Sequence, residues 1–215
     1  MFMTAFITVI AAYLIGSVNF AVIFSKIFFK KDVRKLGSGN AGTTNVMRNG
    51  GFLPGALTFL CDAGKGFIAT FMGKQIFEFI AVNTDAFWAN GVVGAYACGF
   101  ACMLGHVLPL FFDFRGGKGV ATSVGIFAVC SPIAIISGLI VFAVSLLISK
   151  MVSLSSLLAT IVVVALSIYF YNSAGPIYVQ IILSVLMGLL VFYKHKENIR
   201  RILNGTESKI GRRGK

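Results

Sequence analysis

Charged residues are scarce in this chain, at 12% of its 215 residues, which is about half the share in a typical soluble domain. Apolar residues make up 57%, and the mean hydropathy is +0.89. The sequence also lacks a polar stretch long enough to form a linker or a soluble appendage. These features exclude an ordinary soluble protein and predict one polytopic membrane domain over residues 1–215.

The four cysteines lack the paired spacing of a zinc or redox site. They all lie in apolar stretches, at Cys61, Cys98, Cys102 and Cys130. Cys98 and Cys102 are one helical turn apart, but the other residues of a metal motif do not follow them. This pattern is typical of buried structural thiols.

Positive charge is concentrated in three patches. Fifteen of the nineteen lysines and arginines lie in residues 30–48, 115–118 and 194–215, and the formal net charge is +12. The connections at 82–85 and 172–176 contain no cation, so the positive-inside rule places the three patches in the cytoplasm. Cations in such loops also set topology, and therefore this distribution alone does not indicate an anionic substrate.

Apolar segments predict about seven transmembrane helices, since a crossing needs roughly 20 apolar residues. Five segments are of suitable length, at 4–29, 53–80, 87–111, 153–171 and 176–193. The remaining segment, 119–149, would give six spans as one helix and would put the basic tail outside. Pro132 suits a helix start, so we expect two helices, 119–130 and 132–149. The N-terminus is then outside and the C-terminus inside, while the shorter helix could also pack inside the bundle.

The polar segment "GSGNAGTTNVMR", residues 37–48, predicts an anion-binding loop. Gly37 and Gly39 let successive backbone amides turn toward one ligand. Side-chain donors are supplied by Ser38, Asn40, Thr43, Thr44, Asn45 and Arg48. The planar guanidinium of Arg48 suits phosphate oxygens. A flexible connector is the alternative, but it would not need so many donors.

A second segment, "GHVLPLFFDFRGGKGVAT" at residues 105–122, predicts an anion-binding turn before a helix. It is not a Walker motif, because the first glycine is missing and Gly119 replaces the hydroxyl residue that would hold magnesium. Gly116 and Gly117 form the turn, and Lys118 adds a point charge at the start of the helix. His106 could be a base, a phosphate donor or a structural histidine, and the structural role is favoured for a lone histidine.

The third segment, "KHKENIRRILNGTESK" at residues 194–209, contains more than basic residues. Its cations could bind anionic lipid headgroups. That role would not need His195, Glu197 and Asn198, and the histidine and asparagine share one helical face. Nearby, "SLSS" places Ser153 and Ser156 at the start of a span, where one serine caps the helix and the other could face a site.

Together with "DAGKG" at 62–66, these segments resemble the bacterial acyl-phosphate:glycerol-3-phosphate acyltransferase family over essentially the whole chain. The combination is specific, although no single motif would decide it. The resemblance implies a multi-pass enzyme of the bacterial cytoplasmic (inner) membrane that moves an acyl group from acyl phosphate to the 1-hydroxyl of sn-glycerol 3-phosphate. The products are lysophosphatidic acid and phosphate. It also implies no cofactor, no metal and no nucleic acid, and we expect a monomer in the bilayer.

The resemblance and the residue chemistry together predict a site. We expect Ser38, Arg48, Lys118, His195 and Asn198 to bind the phosphates and polarise the acyl carbonyl. The base is left open between His106, His195 and a phosphate oxygen of the donor. No serine or cysteine is paired with a base, so direct transfer is expected. The rival interpretations are a small membrane transporter or flippase for a phosphorylated solute, which would predict internal repeats, and a structural lipid-binding protein.

Overall fold

The computed structural model describes residues 1–84 and 89–211, and all regular structure in these residues is helical. Two 3₁₀-helices, Val33–Lys35 and Leu110–Phe112, lie in the polar loops. The α-helices are α1 (Phe2–Gly16), α2 (Phe20–Phe29), α3 (Thr43–Gly50), α4 (Phe52–Asn83), α5 (Gly91–Val107), α6 (Val120–Cys130), α7 (Pro132–Ser149), α8 (Val152–Tyr169), α9 (Ile177–Lys194) and α10 (Lys196–Leu203). The predicted all-α class is confirmed.

The predicted division of segment 119–149 is also confirmed. Helix α6 ends at Cys130, and α7 begins at Pro132, whose ring occupies the first helical turn. Helix α6 has only 11 residues and packs closely on α4. A Cβ atom added at Gly125 would lie 1.9 Å from the carbonyl oxygen of Ala63, so the two backbones are in contact, as small residues allow in membrane bundles.

The first predicted span, 4–29, is broken, which corrects the expectation of one continuous helix. Helix α1 ends at Gly16, and Asn19 caps α2 by accepting a hydrogen bond from the amide of Val22 at 3.2 Å. The break frees the carbonyl of Val18, which accepts a 2.6 Å hydrogen bond from Nζ of Lys65 on α4. An unpaired carbonyl at membrane depth is costly, and this lysine satisfies it.

The number of spans stays a prediction. Among the described residues, five segments are long and apolar enough to cross a membrane: Phe2–Phe29, Gly91–Phe112, Pro132–Ser149, Val152–Tyr169 and Ile177–Lys194. Helix α6 is too short, and α4 is long but carries charged residues along its length. Of these, Asp62 and Lys65 form a buried ion pair at 2.9 Å.

A small apolar cluster positions the first polar loop. Val33 and Ala41, in the loop between α2 and α3, are almost fully buried against Ala21 and Val22 of α2 and Val46 of α3. Burial of these side chains holds the loop onto the bundle, while the polar residues between them stay near the surface. The loop is therefore anchored at both ends.

Candidate active site

Hydrogen bonds between side chains and backbone bring the three polar segments together. Nη1 of Arg34 donates to the carbonyl oxygen of Phe112 at 2.8 Å, which joins the first segment to the second. Nζ of Lys118 donates to Oδ1 of Asn198, which joins the second to the third. The polar segments that are far apart in sequence thus form one continuous site.

Glu207 organises the third segment. Oε1 accepts hydrogen bonds from Oγ of Ser153 and Nδ2 of Asn198, both at 2.8 Å, and Oε2 accepts one from Nε of Arg201 at 2.7 Å. The carboxylate side chain is only 6% exposed. Burial raises the pKa of Glu207, but the three donors outweigh it and leave the pKa below its usual value. Glu207 is therefore ionised at neutral pH.

Asn198 and Lys118 have fixed orientations because of this carboxylate. Nδ2 of Asn198 donates to Glu207, so its Oδ1 must be the atom that faces Lys118. Burial is the main cause that lowers the pKa of Lys118, to about 8, and Glu207 opposes it. Three neighbouring cations lower it further: Arg201, Lys194 and Arg48. Positive charge exceeds negative charge here, so an anionic ligand would be stabilised.

His195 is buried at the end of α9, next to this group. Its Nδ1 lies 2.8 Å from the carbonyl oxygen of Val191, and because a carbonyl only accepts, Nδ1 carries the proton. Burial, followed by the charge of Lys118, lowers the pKa of His195 to about 4. The ring is therefore neutral at pH 7, with Nε2 as its hydrogen-bond acceptor.

The glycine turn before α6 is built against His106. The amide of Gly117 donates to the carbonyl oxygen of His106 at 3.2 Å. Gly119 has φ +85°, a value that favours glycine, and ends the turn where α6 begins. The amides and the helix dipole at this end of α6 favour an anion beside Lys118.

His106 lies inside the bundle beneath the glycine turn. It is 5% exposed, and its Nδ1 lies 3.5 Å from Oδ1 of Asp62. Its contacts are with the buried Asp62–Lys65 pair and with Gly117, and the structure thus places it as a support for the turn. Within residues 1–84 and 89–211, no group of three or more His, Cys, Asp or Glu side chains could hold a metal ion.

Asn45 shapes the first loop from within. Its Nδ2 donates to three carbonyl oxygens, those of Val33, Leu36 and Asn40, at 3.0, 2.9 and 3.1 Å. Its Oδ1 accepts from the amide of Ser38 at 3.2 Å. The side chain is 2% exposed. The sequence predicts that Asn45 contacts substrate directly, but in the structure its amide group makes hydrogen bonds within the loop.

The remaining donors of the first loop lie closer to solvent. Ser38 and Arg48 are exposed, and Thr43 and Thr44 are half-buried. Gly37 and Gly39 both have positive φ, +53° and +69°. The amide of Gly39 donates to the carbonyl oxygen of Leu36 at 2.9 Å, and that of Ser38 donates to Asn45. These two amides are therefore used within the loop, which corrects the prediction that they turn toward a ligand. These residues form the outer wall of the site, with Asn40 beside them.

An apolar cavity of about 50 Å³ begins beside the polar site and extends between α6, α7, α8 and α9. Val120, two residues after Lys118, and Ser156, one turn after Ser153, lie at its polar end. The hydroxyl of Ser156 donates to the carbonyl of Val152 at 2.9 Å. Farther along, the lining is apolar and includes Phe127, Ile135 and Met187.

Comparison with known proteins identifies the family. The chain matches the family described as glycerol-3-phosphate acyltransferase over residues 6–205. Glycerol-3-phosphate acyltransferase 2 of Bacillus anthracis is 39% identical over 204 residues, which are 95% of this chain and 98% of that protein. A glycerol-3-phosphate acyltransferase of Thermoanaerobacter sp. (strain X514) is 40% identical over 211 residues, 98% of both chains. The chain belongs to the glycerol-3-phosphate acyltransferase family. This confirms the family predicted from the motifs.

Solved structures with the same fold as this acyltransferase are those of PlsY (YgiH), described as an integral membrane glycerol 3-phosphate acyltransferase. The glycerol 3-phosphate form is 38% identical, covers 96% of both chains and has a TM-score of 0.81. The lysophosphatidic acid form is 37% identical, with a TM-score of 0.78. This acyltransferase is therefore an integral membrane protein.

Sequence reasoning missed two residues of this acyltransferase, Glu207 and Arg34. It selected Glu197 instead of Glu207, but Glu197 is exposed in the first turn of α10. Among the described residues, it has no hydrogen bond or ion pair with the other site residues. Glu207 follows the turn that ends α10, where helical periodicity no longer predicts neighbours. A carboxylate in a segment so rich in cations was the signal that could have pointed to it.

Proposed function

We propose that this protein transfers an acyl group to the 1-hydroxyl of sn-glycerol 3-phosphate, the first step of phospholipid synthesis. The excess of positive charge around Lys118 carries this proposal, because it requires an anion and lies next to an apolar cavity. The relatives are named for glycerol 3-phosphate as acyl acceptor, and PlsY was solved in forms with glycerol 3-phosphate and lysophosphatidic acid. The product is 1-acyl-glycerol 3-phosphate.

The acyl donor in this proposal is acyl phosphate. Two phosphate groups then occupy the site together, and their charges are balanced by Lys118 and Arg48, with Ser38 and the amides of the glycine turn as donors. The first carbons of the acyl chain enter the cavity that starts at Val120 and Ser156, and the rest of the chain extends between the helices toward the lipid. A donor that is already a mixed anhydride needs positioning and charge neutralisation more than nucleophilic activation.

The transfer is direct. The 1-hydroxyl oxygen attacks the acyl carbonyl carbon, the carbonyl oxygen becomes an oxyanion stabilised by nearby donors, and the bond to the phosphate oxygen breaks. The hydroxyl proton has two acceptors, Nε2 of the neutral His195 and a phosphate oxygen of the donor. Inorganic phosphate leaves with the electron pair of the broken bond, so atoms and charge balance.

The reaction is tested with purified protein in detergent, acyl phosphate and labelled glycerol 3-phosphate, without coenzyme A. We expect labelled lysophosphatidic acid together with an equal amount of inorganic phosphate. Acyl-CoA in place of acyl phosphate is the control and should give no product. Absence of product with acyl phosphate, or equal rates with acyl-CoA, would contradict the proposed donor.

Direct transfer predicts a specific kinetic pattern. When both substrates must be bound together, initial rates at varied donor and acceptor give intersecting double-reciprocal lines. A covalent acyl-enzyme would give parallel lines, and protein incubated with labelled acyl phosphate alone would keep the label after denaturation. Ser38 is the most plausible nucleophile for that route. Loss of the label in Ser38→Ala, together with parallel lines, would refute direct transfer.

The site faces the cytoplasm in this proposal, with the N-terminus outside and the C-terminus inside the bacterial inner membrane. The cation-free connections meet each other, since Nδ2 of Asn90 donates to the carbonyl oxygen of Ala174 at 2.7 Å. The cationic loops meet one another at the other end of the bundle, where the amide of Ile210 donates to the carbonyl of Lys150 at 2.8 Å. The loops that the charge bias assigns to opposite sides of the membrane therefore also lie at opposite ends of the bundle, which supports this topology.

This topology predicts which positions an impermeant thiol reagent reaches in intact cells. In a variant without the four native cysteines, Lys35→Cys and Thr206→Cys should remain unlabelled because both lie on the cytoplasmic side. Ser173→Cys, in the connection before α9, is the control and should be labelled. All three positions are exposed, so burial cannot explain protection. Labelling of Lys35→Cys or Thr206→Cys before cell lysis would reverse the orientation.

A further inference from the structure

Arg34 connects the first and second polar segments across 78 residues of sequence. Its Nε lies 3.2 Å from both carboxylate oxygens of Asp32, and its Nη2 donates to Oδ2 of Asp32 at 2.9 Å. Its Nη1 donates to the carbonyl oxygen of Phe112 at 2.8 Å and lies 3.5 Å from Oδ2 of Asp113. One side of the guanidinium thus holds its own loop, and the other holds the loop that leads to the glycine turn.

The backbone that Arg34 holds is strained. Asp113 and Phe114 have φ of 57° and 55°, the left-handed region that non-glycine residues seldom adopt. Two such residues in succession persist only when surrounding contacts fix them. The carbonyl of Phe112 is the last one before this pair, and it accepts from both Arg34 and the amide of Arg115, the latter at 3.1 Å.

The strained pair leads directly into the catalytic segment. Gly116 follows two residues after Phe114, and Lys118 follows two residues later. A polar cavity separates the two loops, and Arg34, Gly39, Asp113 and Gly116 all line it. Arg34 makes the polar contact between the two loops beside this cavity, and the side chain of Phe112, which packs against the apolar cluster around Val33, makes an apolar one. Its planar fork binds the Asp32 carboxylate through Nε and Nη2 and the Phe112 carbonyl through Nη1, a fixed spacing that a single lysine ammonium does not provide.

We propose that Arg34 is a positioning residue for acyl transfer: it fixes the strained turn at Asp113 and Phe114, and thereby the position of Gly116 and Lys118. This inference rests on the function proposed above. Most of its N–H donors are directed at Asp32, Phe112 and Asp113, which assigns Arg34 to holding the loops and not to contact with the reacting atoms. Its loss lets the turn relax and moves the lysine away from the phosphate.

Arg34→Ala should lower kcat/KM on the order of tenfold, and Arg34→Lys should cause a similar loss although it keeps the charge. Lys35→Ala is the matched control, since it removes an adjacent cation that lines the same cavity, and it should retain wild-type rates. Guanidinium ion added to Arg34→Ala should restore part of the activity, but should not affect Lys118→Ala. If Arg34→Ala does not fold, the rate of Arg34→Lys decides: a loss of kcat/KM supports the inference, and a near-normal rate contradicts it.

A double-mutant cycle separates positioning from general stabilisation. If Arg34 acts through Lys118, Arg34→Ala should cost a clearly smaller factor in the Lys118→Ala background than in the wild type. Equal factors in both backgrounds, or near-normal rates in Arg34→Ala and Arg34→Lys, would overturn the inference. These outcomes require an active wild type. A wild-type protein that forms no lysophosphatidic acid would instead refute the proposed function.

Discussion

Gly117→Ala should lower kcat/KM by on the order of a hundredfold or more, the size of effect that a 1 Å displacement of a catalytic group can have. A Cβ atom there would lie 2.2 Å from Nε2 of His106 and 2.6 Å from the carbonyl oxygen of Ala41. Neither atom can yield easily, because His106 is buried beside Asp62 and Ala41 is anchored backbone. The turn must therefore move, and Lys118 moves with it.

Gly64→Ala is the control for this substitution. Gly64 lies in α4, and a Cβ atom added there has no other atom within 4 Å. Alanine is the better helix former, so the variant should fold and keep wild-type rates. Steady-state rates of both variants, with thermal unfolding as a check on folding, test the prediction. If Gly117→Ala unfolds at the same temperature as the wild type and retains at least half of the wild-type activity, the turn at Gly117 does not position an anion-binding group.

Lys118→Ala should lower kcat/KM about ten- to a hundredfold, because a charge-assisted contact to phosphate is worth about 1.5–3 kcal/mol. The variant should still fold, since Lys118 is only partly buried and Glu207 keeps its three hydrogen-bond donors. Kinetics on well-folded protein provide the measurement. Rates near those of the wild type would remove Lys118 from the site.

Lys118→Arg tests whether the charge state of residue 118 controls the pH dependence of kcat/KM. The pKa of Lys118 is about 8, and a lysine is charged below its pKa. The kcat/KM of the wild type, which reflects the free enzyme, should therefore decline as pH rises through about 8. Arginine stays charged throughout this range, so the variant should lack that decline, whatever its absolute rate. If kcat/KM declines in the same way above about pH 8 in both proteins, the decline is caused by the titration of a group other than Lys118.

The sequence predicted features that depend on local residues. Pro132 marked the start of α7, and the three polar segments marked the loops that meet at the site. It did not predict contacts made by tertiary neighbours. The break between α1 and α2 contains no proline. Asn19 caps α2 there, and Lys65 bonds the carbonyl of Val18 that the break leaves free.

The roles of individual site residues depended on tertiary contacts in the same way. The amide of Asn45 looked available for a ligand in the sequence, but three backbone carbonyls of its own loop occupy it. The contacts of His106 with Gly117 and Asp62 favour the structural role among the three that the sequence left open. Residue type indicates what a side chain can bond, whereas the fold decides which of those bonds are already made.

The buried contacts of Lys65 bear on how the chain enters the membrane. A lysine and an aspartate near the middle of a helix each oppose insertion by about 2.5–3.5 kcal/mol, so α4 is a poor candidate for insertion by itself. The pairing of Lys65 with Asp62 on the same helix reduces that cost, and the carbonyl of Val18 reduces it further. Val18 is synthesised 47 residues earlier, so the acceptor is already in the membrane when α4 leaves the translocation channel. The broken first span can therefore supply, in chain order, a hydrogen-bond acceptor for the lysine of the helix that supports the active site.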